Sequence, residues 1–148
     1  MAGLIPKTIR EAVKRTIDEA GLGRTVAVHA YAPTADADAV AQYPCVLIGW
    51  ADPAQYRVTF GAQGIASLPL ELEIRTQSAD GVSAEMALDD LLAAGAGAGS
   101  SIWDALDSDA TLGGAVRTST CEMTAPPRPL GDGRWSATLV LTAHAARS

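Results

Sequence analysis

The sequence predicts an α+β domain: a mainly antiparallel sheet of about five to six strands, with an N-terminal helix and one long plus one short helix packed on it. Three observations carry this. Apolar residues recur every fourth position at the start of the chain, as in an amphipathic helix. LPLELEIRTQ alternates strictly, as in a strand with two unlike faces. The remaining segments group as runs, in the order helix, four strands, two helices, two strands, and such runs favour helices gathered on one face of the sheet.

The first helix is expected over Pro6–Ala20, with Ile5, Ile9, Val13 and Ile17 on one narrow stripe, Pro6 in the first turn and Gly21 as a stop. Thr25–Tyr31 alternates as a strand, and residues 32–42 (APTADADAVAQ) lack periodicity and read as a loop. Tyr43–Trp50 is a dense apolar run, hence a strand; Tyr56–Phe60 is a short one after the Asp52-Pro53 turn. In Ser67–Thr76, Leu68, Leu70, Leu72 and Ile74 face a core while Glu71, Glu73 and Arg75 face water, and Pro69 on that wet face implies an edge position or a bulge. A second helix is expected over Val82–Ala94, burying Met86 or Ala87 with Leu88, Leu91 and Leu92, with Asp80 or Ser83 as cap. Ser101 caps a short helix, Ile102–Asp107, and Thr111–Gly114 is a turn. Val116–Thr124 and Arg134–His144 close the sheet around APPRPLGDG; flexible loops are expected near 32–42, 95–101 and 125–133.

At 148 residues the chain suffices for one domain (1–148) with a real core, and for no second one. No apolar run reaches the roughly 18 residues of a membrane span, and the start has no secretory pattern, so a soluble intracellular domain is expected. Net charge is −6 and unevenly placed: residues 25–113 hold two bases against twelve acids, while the segments either side are each +2. Tight nucleic-acid binding requires clustered Lys and Arg and is disfavoured. Cys45 and Cys121 are too few and too far apart for a disulfide framework, and read as reduced, buried thiols.

No catalytic constellation emerges. GAGAGSS lacks the lysine and preceding strand of a phosphate loop. Asp104, Asp107 and Asp109 lack calcium-loop spacing and suit helix-end capping; Asp89-Asp90 lie about 100° apart on a helix and cannot share a site. His29 and His144 share no ligand spacing with each other or with the cysteines. More suggestive are Trp50, Tyr56, Arg57 and Phe60 around the turn at Asp52. Aromatics with Arg anchor protein interfaces, so these five are candidates for a subunit or tube contact, with filling of the core's end as the alternative. Glu71, Glu73 and Arg75 are either simply solvated or face a lumen or a neighbouring subunit.

Nearly the whole chain, read as IPKTIREAVKRTIDEA, a first strand and acidic loop, YPCVLIGW, LPLELEIRTQ, AEMALDDLLAA, SIWDALDSDATLGGAV and a final WSATLVLTAHA, resembles the tail terminator proteins of long-tailed, siphovirus-like bacteriophages. The likeness is one of order and texture. The Gly/Ala linker at 95–99 and Pro69 depart from the pattern. The resemblance implies a structural virion protein rather than an enzyme, with no cofactor and no membrane association. It would form a hexameric ring that caps the tail tube, ends tail polymerisation and offers the surface for head–tail joining. The implied partners are further copies of the chain, the tail tube protein and the head–tail connector or neck proteins, with genomic DNA passing through unbound. The implied location is the head-proximal end of the virion tail, after assembly in the host bacterial cytoplasm. A connector or neck protein of the same virion is the nearest alternative. A small ligand-binding domain or enzyme, centred on one of the histidines, is the other.

Overall fold

A computed structural model describes residues 3–20, 22, 26–31, 42–52, 54–62, 64–93 and 101–145. They form α1 (Pro6–Glu19), β1 (Ala27–His29), β2 (Cys45–Trp50), β3 (Thr59–Gly61), β4 (Gly64–Gln77), α2 (Gly81–Leu92), α3 (Ile102–Ser108), β5 (Thr118–Gly131) and β6 (Arg134–His144), in the order expected for an α+β chain. The sheet runs β1-β2-β4-β6-β5, with β3 also paired to β4; the β1–β2 pair is parallel and the rest antiparallel. The expected loops at 32–42 and 95–101 fall almost wholly outside the described residues.

Hydrophobic alternation decides which face of the sheet the helices cover. Leu68, Leu70, Leu72 and Ile74 of β4 share a face with Val46 and Ile48 of β2 and with Ala137, Leu139, Leu141 and Ala143 of β6. Ile9, Val13 and Ile17 of α1, Leu88 and Leu91 of α2, and Ile102 and Leu106 of α3 pack onto it. Each such side chain, taken fully out of water, contributes about 1.5–3 kcal/mol. Ile5 departs from its predicted stripe: it precedes the first helical turn and is exposed. In α2 the buried residues are Ala84, Leu88 and Leu91, and Met86 points outward, because Asp80 starts the helix and sets its rotation. The Asp80 carboxylate accepts from the Val82 N–H and the Ser83 hydroxyl (both 3.0 Å). Ser101 Oγ accepts from the Asp104 N–H (3.0 Å) to open α3.

β4 is the spine. Eleven consecutive residues, Ser67–Gln77, pair with His144–Arg134 of β6. On its other side β4 meets β2 and then β3, and this corrects the expectation for Pro69, which is buried in a central strand. The Pro69 carbonyl accepts from the Ala51 N–H (3.2 Å), so the proline nitrogen faces the same side. There β2 has just ended and β3 has not begun, and a missing donor costs no ladder bond. The third strand also begins later than expected: Tyr56 and Arg57 precede β3, because Asp52 ties the segment into a turn, its carbonyl accepting from Gln55 and Tyr56 N–H.

β5 runs through Pro126, Pro127 and Pro129 to Gly131, where a flexible loop was expected. Prolines are tolerated because β5 is the sheet edge, and its register shifts repeatedly from Met123 onward. The hairpin closes on Asp132-Gly133, both with positive φ (55° and 72°), as a two-residue type I′ turn requires. A Cβ at position 133 would fall 1.9 Å from the Ser78 carbonyl oxygen, so only glycine fits there.

Arg10 is the polar exception in α1. Its Nη1 donates to the carbonyls of Ala30 (2.8 Å) and Ile48 (2.9 Å), and its guanidinium lies 4.3 Å from the centroid of the Tyr31 ring. The β1–β2 ladder stops at the His29–Leu47 pair, so the Ile48 carbonyl lies just past it, and Arg10 supplies the partner that a longer β1 would have given.

Candidate subunit interface

The sheet face away from the helices carries Cys45 and Leu47 (β2), Glu71, Glu73 and Arg75 (β4), Ser136, Thr138 and Val140 (β6) and Glu122 (β5). It is not the wet face that alternation predicts. Arg75 is only 6% exposed, its Nη2 donating to Glu73 Oε1 (3.0 Å), while Ser136 Oγ donates to Glu73 Oε2 (2.8 Å). Arg75 is buried and Glu71 and Glu73 are half-buried, because β4 is central rather than an edge and Tyr43 covers part of this face. Tyr43 and Ala27 pack against Cys45 and Leu47. From the turn after β2, the Tyr56 hydroxyl reaches across to Glu122 and Thr124 of β5. Val140, beside Glu71 and Glu122 on the same face, is 1% exposed.

The electrostatics of this face follow. Burial, then the neighbouring Glu73 and Asp52 carboxylates, push the Glu71 carboxyl above its ordinary value. Burial and the Glu122 carboxylate raise the Tyr56 phenol. Burial takes the Cys45 thiol to about 11 and the Cys121 thiol to about 12, so both stay protonated and poorly nucleophilic near neutrality. Cys45 sits on this face and Cys121 on the helix-covered one, and neither is in a disulfide. His29 pairs at the level of Glu73 and His144 at that of Ser67, six positions along β4, or roughly 20 Å at about 3.4 Å per residue. Two histidines so separated cannot share a ligand. Among the described residues, no three His, Cys, Asp or Glu side chains are grouped to hold a metal ion, and no helix is long and apolar enough to cross a membrane.

The five candidate interface residues do not form one cluster. Tyr56 turns inward over the sheet. Trp50 and Phe60 are 48% and 69% exposed, and Asp52 and Arg57 are exposed beside them in sequence. Trp50 pairs with Leu70 and Phe60 with Ile65, so the two aromatics stand five residues apart along β4, about 17 Å. They form a row along one flank of β4 rather than a single anchor. Sequence reasoning missed Ile5, which is exposed next to Leu4, whose N–H donates to the Ile65 carbonyl (2.8 Å). It also missed a cleft of about 230 Å³ between α3 and β5, lined by Trp103, Leu106, Asp107, Ser119 and Cys121. No local motif announces either feature, since each depends on how distant segments meet. Comparison with known protein families, curated proteins and solved structures finds no match.

Proposed function

We propose that this chain is a structural virion protein, a tail terminator that closes into a hexameric ring on the end of a phage tail tube. Such a ring stops tube growth and presents a surface for the head–tail connector proteins. One observation carries the reading: large apolar side chains, Trp50, Phe60 and Ile5, are turned outward around β4 although a separate, well-filled apolar core lies beneath the helices. Exposed aromatics with an adjacent arginine, here Arg57, are what a protein-binding surface needs. The order of elements supports the resemblance drawn from the sequence. The acidic middle of the chain suits a lumen through which DNA slides without being held.

Negative-stain electron microscopy of the purified chain, alone and mixed with tail tubes, tests this. Six-fold rings with a central hole, or tubes capped at one end, are the expected result. Particles that stay monomeric at every concentration and leave tube ends bare would overturn it. Rings that bind connector proteins but never tubes would move the assignment to the neck of the same virion.

A further inference from the structure

We propose that neighbouring subunits join by seating Phe60 of one copy in the cleft between α3 and β5 of the next, with β3 laid against the free edge of β5; this rests on the ring reading above. Knob and socket are both present in one chain and cannot meet within it. β3 pairs with β4 on the flank that β2 occupies, whereas the cleft lies beyond β6 at β5. Three strand spacings, about 14 Å, separate them. Two different patches at opposite edges are what a head-to-tail contact requires, and such contacts make rings when the rotation closes.

The fit is specific in size, charge and backbone. A dry apolar cavity of about 150 Å³ holds a benzene ring, and this cleft, at about 230 Å³, takes a phenyl side chain against Trp103, Leu106 and Cys121. Arg57, three residues before Phe60, is exposed, and Asp107 on the cleft wall is exposed and of opposite sign. β5 is regularly paired to β6 from Thr118 to Met123, and among the described residues no strand pairs with its outer side. Beyond Met123 the register shifts and three prolines blunt the edge. The stretch open to strand addition is therefore the one beside the cleft, where Ser119 and Cys121 line it.

The native Cys121 provides the test. In Phe60→Cys, oxidation catalysed by copper–phenanthroline should link position 60 of one subunit to Cys121 of the next. The catalyst is needed because burial holds the thiol at about 12. The expected result is a non-reducing gel ladder rising to six subunits, lost in Phe60→Cys/Cys121→Ser. Phe60→Ala, with the thermal midpoint of the unassembled subunit unchanged because the side chain is exposed on it, should raise the concentration for half-assembly at least tenfold. Wild-type rings with no Cys121-dependent ladder and undiminished assembly of Phe60→Ala would overturn this docking and leave the ring standing. Absence of wild-type rings, free or on tubes, would remove both.

Discussion

The two faces of the sheet are built by opposite means. The helix-covered face is held by aliphatic side chains from nearly every element, and its stability is spread over many interchangeable contacts. The opposite face buries charge: Arg75, Glu73 and Ser136 form one hydrogen-bonded set under partial aromatic cover. Apolar burial degrades gradually when one methyl group is lost, whereas a buried ion pair fails when either partner goes, because the other is left charged and unpaired. In a central strand, alternation therefore tells which residues share a face, and says less about which face is wet.

Three substitutions sharpen the contrast, from the largest effect to the smallest. Leu72→Ala, at a fully buried site in the middle of β4, should cost about 3.5 kcal/mol in urea unfolding. A loss below about 1 kcal/mol would mean the helix layer is not packed on β4. Arg75→Leu should cost about 3 kcal/mol, and adding Glu73→Gln should recover part of that loss. If the single change were neutral, the pair would be solvated and the two faces would not differ as described. Glu71→Gln should stabilise, by less than about 1 kcal/mol after solvent screening. Its size depends on pH. The folded carboxyl is raised, so folded Glu71 carries no penalty below the unfolded carboxylate range and a growing one as pH rises through the folded value. The gain from glutamine should appear at neutral pH and vanish in acid. Thermal melts across that range would show it, and a gain constant with pH would point to packing instead.

The sequence was most readable where periodicity and capping agree. α1, α2, α3 and β6 begin and end within about two residues of expectation, since Pro6, Asp80 and Ser101 act locally. It was least readable where an outcome depends on neighbours. Pro69 looked like an edge marker because the gap between β2 and β3 is a property of three strands together. The prolines of β5 looked like a loop because nothing local says that the strand lies at the edge of the described sheet. The burial of Arg75 and the inward turn of Tyr56 follow from cross-sheet contacts that have no counterpart in spacing. Of the candidate site, the exposed pair Trp50 and Phe60 was legible, and the cleft between α3 and β5 was not.

The ladder between β4 and β6 has a mechanical side. A tension applied along these strands loads all eleven residue pairs from Ser67–His144 to Gln77–Arg134 in shear, so they must yield together rather than peel one at a time. The β5–β6 hairpin continues the same axis, tied at its tip by the Ser78 N–H donating to the Gly133 carbonyl (3.0 Å). A force entering at one end of the domain is thus carried by backbone to the other, past the side chains that hold the layers together. A subunit that bears load between two larger bodies is best oriented with this axis along the pull.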